Sequence, residues 1–380
     1  MQSLKILFVV PRYHTNMIGW VKALKSINIK VGVHAIMRGN TEDYSELQPK
    51  LFALSSISKV IIKIFGEGGV NMYRGFPNPI LYLNALRKEK PDVIIVRGLK
   101  RWFPIMAAVY GRLLGVKIII YSQETLYTNY TKKRMFQVEF INALFNSVWI
   151  TPVLGKVNVK ASIPKDSFFI PFVVTTEGRR TALIPSNNIT RILSIGKFTE
   201  RKNHLLLLEV LLKIKQEGHQ FVLTIIGELS GDDHNQYYQQ VLEFLTSNNM
   251  QDDVILKTNV SHTSIEAFYQ DADLFVLPAR NEPASIAVLE AIAHGLPVIC
   301  STTCGTQWYI DHLQTGYVFE SESPDDLEKG IFWYLQHSDK KRMNAQVKDK
   351  GYEISMENYL KQFDKILYAK FCLNLFPKAE

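Results

Sequence analysis

The stretch that most constrains this chain is Leu274-Phe-Val-Leu-Pro-Ala-Arg-Asn-Glu-Pro-Ala-Ser-Ile-Ala-Val-Leu-Glu-Ala-Ile-Ala-His-Gly-Leu-Pro-Val-Ile-Cys300. An apolar run over 274–277 stopped by Pro278 predicts a buried strand, and the apolar segment from Ser285 to before Gly295 predicts a helix. A second strand follows from Val298, which makes a β-α-β unit and points to a parallel sheet. Two carboxylates stand eight residues apart in it, Glu282 on the loop and Glu290 in the helix. The helix is apolar nearly all round, so the charge of Glu290 needs a partner. A buried ion pair or a place at the helix rim is one account of it. The other is a ligand, because in an open parallel sheet ligands bind beyond the carboxyl ends of the strands. Amides at the helix start would face an anion there, and carboxylates accept hydrogen bonds from sugar hydroxyls. A nucleotide sugar carries both groups.

Glu282, Glu290, the run Leu-Glu-Ala-Ile-Ala-His-Gly-Leu-Pro-Val-Ile and the upstream Ser194-Ile-Gly-Lys-Phe-Thr-Glu-Arg-Lys202 together resemble the retaining glycosyltransferases of family four. The resemblance spans about residues 191–335. It implies the GT-B fold: α/β, two Rossmann-like doubly wound parallel-sheet domains facing a central cleft. It also implies that Glu290 holds the ribose hydroxyls of a nucleotide, while Glu282 and the amides of Ala284, Ser285 and Ile286 contact the transferred sugar and diphosphate. Gly196, Lys197 and Lys202 keep the spacing of the family's Gly-Arg and following Lys, with lysine at the arginine position and Arg201 adjacent. These cations would neutralise the departing diphosphate. Gly227 ends the next strand, where the family has a glycine pair.

The charge balance is uneven. Residues 1–172 hold 24 Lys and Arg against 9 Asp and Glu, an excess of +15, whereas residues 173–380 hold 20 against 27, or −7. A basic first half favours an anionic partner surface. Residues 99–114 open on Lys100, Arg101 and Trp102, and residues 132–145 set Lys132, Lys133 and Arg134 before a line of aromatics. Both fit amphipathic helices lying on a bilayer, and both equally fit ordinary helices covering a sheet. No stretch has the ~20 apolar residues of a spanning helix, and residues 1–10 lack a signal-peptide order. A cytoplasmic protein, peripheral at the inner face of the membrane, is expected. Cys300, Cys304 and Cys372 cannot all pair, and Cys300 and Cys304, with no His or further Cys at zinc-ligand spacing, read as reduced, structural thiols.

A chain of 380 residues exceeds one typical domain. The expected division is an acceptor-binding domain over 1–172, a linker over 173–189, a donor-binding domain over 190–350, and a C-terminal helix over 351–380 that returns to the first domain. Strands are predicted at 4–11, 31–36, 60–64, 93–96 and 117–121, then at 191–195 and 221–226. The family's Gly-Gly pair in the first loop is replaced by His14-Thr15-Asn16, and loops where it often carries histidines hold Arg97, Gln123 and Glu124. Asp271-Ala-Asp273 has a metal-binding form but precedes a strand, on the amino edge of the sheet, so no metal is expected. The expected partners are a nucleoside diphosphate sugar, a glycolipid or saccharide acceptor and an anionic membrane, with no nucleic acid. The other class of reading is a non-catalytic module that keeps the nucleotide site and acts as a scaffold for another transferase.

Overall fold

The computed structural model describes residues 4–38, 44–65, 74–155, 162–176 and 189–376. The chain divides into two compact units, Met1–Val173 with Met356–Glu380, and Val174–Ser355. Most of the stretch expected as a linker, 177–188, lies outside the described residues.

Unit 1 runs β1 (Lys5–Val9), α1 (Ile18–Ser26), β2 (Lys30–Ala35), β3 (Lys50–Leu51), α2 (Ser56–Phe65), α3 (Pro79–Glu89), β4 (Val93–Arg97), α4 (Trp102–Leu113), β5 (Lys117–Tyr121), α5 (Lys132–Phe145), β6 (Ser147–Thr151) and β7 (Ser167–Phe169). Its sheet has the order β3-β2-β1-β4-β5-β6-β7, with parallel pairing throughout. The central strands are apolar on both faces because helices cover both. Side-chain alternation splits them into two cores: Ile6, Phe8, Ile95 and Ile119 pack with Trp20 of α1, while Leu7, Val9, Ile94 and Ile118 pack with Tyr82 of α3, Phe103 of α4 and Val138 of α5.

Residues 60–64, expected as a strand, are helical in α2. The run of β-branched residues there is not buried in a sheet: Val60 and Ile64 face outward, whereas Ser58 and Ile62, four residues apart, point inward. Ser55 starts the helix, its Oγ accepting the Ser58 N–H at 3.2 Å. Period four together with a cap outweighs strand propensity at a surface position.

Unit 2 runs β8 (Ile189–Ile195), α6 (His204–Gln216), β9 (Gln220–Gly227), α7 (Asp232–Ser247), β10 (Val254–Thr258), α8 (His262–Asp271), β11 (Leu274–Leu277), α9 (Ile286–Ala293), β12 (Val298–Ser301), β13 (Gly316–Phe319), α10 (Pro324–Leu335) and α11 (Lys340–Lys350). The strand order is β10-β9-β8-β11-β12-β13, again parallel, so β8, β9, β11 and β12 open their following loops on one edge. The order reverses between β8 and β11, the place where such sheets receive ligands. In unit 1 the same reversal lies between β1 and β4.

The last helix, α12 (Met356–Phe371), belongs to unit 1. Tyr359, Phe363, Leu367 and Phe371 form its buried stripe, and Tyr359 stacks on Trp20 at 5.6 Å between ring centroids. The Trp20 indole N–H donates to the Pro171 carbonyl at 2.8 Å. Lys370 pairs with Asp166 at 2.7 Å, fixing the far end of the helix to the β6–β7 connection.

Candidate functional site

At the carboxyl edge of β8, Gly196 and Lys197 are followed by a single 3-10 turn, Glu200–Lys202, which delivers Arg201 and Lys202 beside the loop leaving β11. There Lys202 Nζ donates to Glu282 Oε2 at 2.7 Å, and Arg201 Nη1 donates to the same oxygen. Glu282 and Lys202 are buried, whereas Arg201 is half-exposed. Both cations fall on Oε2; Glu282 Oε1 takes no bond among the described residues. A carboxylate offers about four lone-pair sites, so half of this one is left for another donor.

The loop carrying Glu282 is pinned from two sides. The Arg280 N–H donates to the Arg201 carbonyl at 2.7 Å, and the Gly305 N–H donates to the Glu282 carbonyl at 2.8 Å. The Asn281 N–H reaches Thr303 Oγ1 at 3.1 Å. Arg280, Thr303 and Gly305 carry no motif of their own; only the reversal of strand order between β8 and β11, and the adjacency of β12, would have marked them.

Two glycines shape the cluster by what they lack. A Cβ on Gly196 would lie 2.8 Å from Lys202 Cδ, so the stem of the buried lysine rests directly on the glycine backbone. A Cβ on Gly227 would lie 2.5 Å from the Phe198 ring and 2.7 Å from the Gly196 carbonyl oxygen. Close packing of the β8 turn therefore requires glycine at both positions. His204, fully buried at the start of α6, lies with Nε2 3.2 Å from that same carbonyl. Burial pushes its pKa down to about 4, so the ring is neutral at pH 7 and donates to the carbonyl from Nε2.

Lys197 does not join this pair of cations. It turns to the next strand and pairs with Glu228, which follows β9, at 2.7 Å. Burial works against ionisation of Glu228, but hydrogen bonds from Lys197 and Ser230 outweigh it and hold the carboxyl below its usual range. Glu290, in the second turn of α9, accepts a 2.7 Å hydrogen bond at Oε2 from the buried Tyr269 hydroxyl of α8. The Tyr269 ring stacks on His294 at 5.2 Å. Burial first, then the Glu290 charge, raises the Tyr269 pKa far out of reach, so the phenol remains a donor. Ala284 and Ser285 lead into α9, and Ser285 makes no side-chain capping bond. Its first amides, with those of Ile286, have no acceptors within the helix.

Asp271 and Asp273 sit at the amino edge, where Arg191 holds both: Nη1 to Asp271 at 2.6 Å and Nη2 to Asp273 at 2.9 Å. This D-x-D pair closes the junction of β8 and β11. In unit 1, His14 follows β1, Arg97 ends β4, and Gln123 and Glu124 follow β5. Gln123 Nε2 donates to the Tyr121 hydroxyl at 3.2 Å, and Glu124 takes Lys100 at 2.8 Å together with Arg134.

Residues 179–353 match the family described as Glycosyl transferases group 1. A similar curated protein is the UDP-Gal:alpha-D-GlcNAc-diphosphoundecaprenol alpha-1,3-galactosyltransferase of Escherichia coli, 22% identical over 335 residues, covering 80% of this chain and 82% of that one. Among solved structures, a glycosyltransferase from Rickettsia africae superposes with a TM-score of 0.73 at 16% identity, over 97% of this chain and 99% of the other. Anabaena HepE in complex with UDP and glucose gives 0.69 at 12% identity, over 96% and 100%. Two parallel-sheet α/β units and likeness to these structures across nearly the whole chain lead to one statement: the chain has the GT-B fold, and residues 179–353 of it match the Glycosyl transferases group 1 family.

Proposed function

We propose that this protein is a retaining hexosyltransferase that moves a sugar from a nucleoside diphosphate sugar to a glycolipid or lipid-linked saccharide, as in cell-surface polysaccharide synthesis. The observation that carries the reading is the Arg201–Lys202–Glu282 cluster at the strand-order reversal of unit 2, beside the open amides of α9. Glu282 Oε1 accepts a hydroxyl of the transferred sugar. The half-exposed Arg201, Lys202 and the α9 amides stabilise negative charge as it grows on the diphosphate. Glu290 accepts the ribose hydroxyls, held in position by Tyr269. The acceptor hydroxyl attacks on the face the leaving group vacates, and a donor phosphate oxygen takes its proton, so the configuration at the sugar is retained. The names of the relatives support this direction: one uses UDP-Gal and a diphosphoundecaprenol-linked acceptor, another binds UDP and glucose. Protein cations fill the role a divalent ion would otherwise take, and transfer should persist in a chelator.

Unit 1 supplies the membrane contact in this reading. No helix among the described residues is long and apolar enough to cross a bilayer. Yet α3, α4 and α5, side by side on one face of the sheet, leave Leu81, Trp102, Leu113, Phe136, Phe140 and Leu144 exposed. On α5, Lys132, Phe136, Phe140 and Leu144 follow one another at intervals of four, a cation leading an apolar stripe. Such a stripe fits an anionic bilayer surface.

A panel of nucleotide sugars tests the function. Slow donor hydrolysis or transfer should appear with one donor and fall strongly in Glu282→Ala and Lys202→Ala; binding without turnover would support the scaffold reading, and no binding at all would end the proposal. Flotation with anionic liposomes should succeed for the native chain and fail for Phe136→Ser with Phe140→Ser.

A further inference from the structure

Unit 1 carries a second concentration of charge at the reversal of its own strand order, between β1 and β4. Register pairs Val9 with Val96, so the loop after β1 and the end of β4 leave the sheet side by side. The loops 10–17, 97–101 and 122–131 hold Arg12, Arg97, Lys100 and Arg101 against one acid, Glu124. That acid is already used. Burial opposes its ionisation, but hydrogen bonds from Lys100 and Arg134 outweigh burial and hold its carboxyl below the usual range.

Arg97 is placed differently from the other cations. It is the last residue of β4, half-buried, with its guanidinium carbon 5.8 Å from the centroid of the buried Tyr121 ring. Its backbone neighbour is tied down, the Gly98 N–H donating to the Tyr121 carbonyl at 2.8 Å. Among the described residues the guanidinium makes no hydrogen bond or ion pair, and its Nη1 is closed off from solvent without a partner. Leaving such donors unmet costs about 1–3 kcal/mol. A planar cation with unspent donors suits an oxyanion, which it can grip through two parallel bonds.

We propose that the carboxyl edge of unit 1 at β1 and β4 is an anion site in which Arg97 grips an oxyanion borne by the acceptor, a phosphate ester or a carboxylate. This deepens the transferase reading above and rests on it for the word acceptor. The charge restricts acceptors to anionic ones: a neutral saccharide leaves Arg97 unmet, whereas a saccharide on a phosphate or with a uronate satisfies it.

The test uses the full chain with its nucleotide site first saturated by the nucleoside diphosphate that binds best, followed by calorimetric titration with methyl phosphate, methyl glucuronide and neutral methyl glucoside. An anion should bind and the neutral glycoside should not; whether phosphate or uronate binds tells the two sources apart. Arg97→Gln should weaken that binding about tenfold or more and leave nucleoside diphosphate affinity unchanged, with Arg97→Lys retaining part of it. Absence of anion binding, an unchanged affinity in Arg97→Gln, or an equal loss of nucleotide affinity would each overturn the proposal. If no nucleotide binds, the transferase reading falls by itself, and titrating the unloaded chain against Arg97→Gln still decides whether the anion site exists.

Discussion

Lys202→Met should destabilise unit 2 by about 2 kcal/mol, less than Glu282→Gln, and the order of the two follows from which atoms share partners. Methionine has the length of the lysine stem that lies on Gly196, so no cavity opens. What is lost is one charge contact at 2.7 Å. At an effective dielectric constant near 20 that contact is worth roughly 6 kcal/mol of gross attraction. Against it stands the cost of keeping an ammonium out of water, several kcal/mol, which methionine avoids. Glu282 keeps Arg201 on the same oxygen, so no naked charge remains. Glu282→Gln differs, because Lys202 has no counter-charge other than Glu282 among the described residues; leaving a buried ammonium uncompensated costs about 3–5 kcal/mol. Arg201→Met, at an open site, should cost under ~1 kcal/mol. Urea unfolding followed through Trp308 and Trp333, both in unit 2, reads these differences. For a domain of this size, 2 kcal/mol corresponds to about 4–8 °C in Tm. The double variant Lys202→Met with Glu282→Gln should cost less than the sum of its parts by at least about 1 kcal/mol. A cost for Lys202→Met equal to or above that of Glu282→Gln, or strict additivity, would refute the shared-oxygen account.

Gly227→Ala forces a methyl against the Phe198 ring and the Gly196 carbonyl and should cost about 1–3 kcal/mol, with a matching drop in urea midpoint; an unchanged midpoint would show that the turn has slack. Tyr269→Phe removes the hydroxyl that holds Glu290 and should weaken nucleoside diphosphate binding about fivefold or more in titration calorimetry. No change there would detach Glu290 from the nucleotide. Buried His34 and His204 both have their pKa pushed down to about 4, chiefly by burial. Between that value and 6.5 the unfolded chain binds more protons than the folded one, so stability is full above pH 6.5 and falls toward pH 4, by about 3 kcal/mol per histidine. Urea midpoints at pH 7.5 and pH 5 measure this, and His204→Gln should flatten the dependence in unit 2; a midpoint that rises on acidification would contradict it.

Much of this was readable from residues alone where burial on both faces leaves an uninterrupted apolar run. β5 begins and ends at Lys117 and Tyr121, and β11 at Leu274 and Leu277, as the runs predict. Helix α10 starts at Pro324 with Asp325 and Asp326 in its first turn, Ser323 Oγ accepting the Asp326 N–H at 3.2 Å. Edge strands were less visible. Mostly exposed β10 carries Lys257 and no clean alternation, and β3 is only two residues long. In α2, Val60, Ile61 and Ile62 imitate a strand, and the cap at Ser55 decides for the helix. In the site, residue types and spacing pointed to the cations and Glu282 but not to how they divide. Whether Lys197 turns to Glu228 or to Glu282 depends on a side chain at the end of the neighbouring strand, and no spacing within one segment encodes that.

That division bears on how the proposed chemistry proceeds. Three cations stand at the carboxyl edge of β8, and each already faces a carboxylate: Lys197 faces Glu228, and Arg201 and Lys202 share one oxygen of Glu282. A diphosphate arriving there draws on cations that are held in place beforehand, so little reorganisation is left for the moment of reaction. It must also compete with the carboxylates that hold them. Buried Lys202 stays with Glu282, since neither charge can be left alone. Arg201 can turn outward, because it is half-exposed and its guanidinium has nitrogens to spare. In the proposed mechanism Arg201 is therefore the cation that exchanges between Glu282 and the diphosphate, while Lys202 keeps Glu282 oriented and lends its charge from a fixed place. In the same proposal Glu282 Oε1, outside this exchange, holds the sugar whichever way Arg201 points.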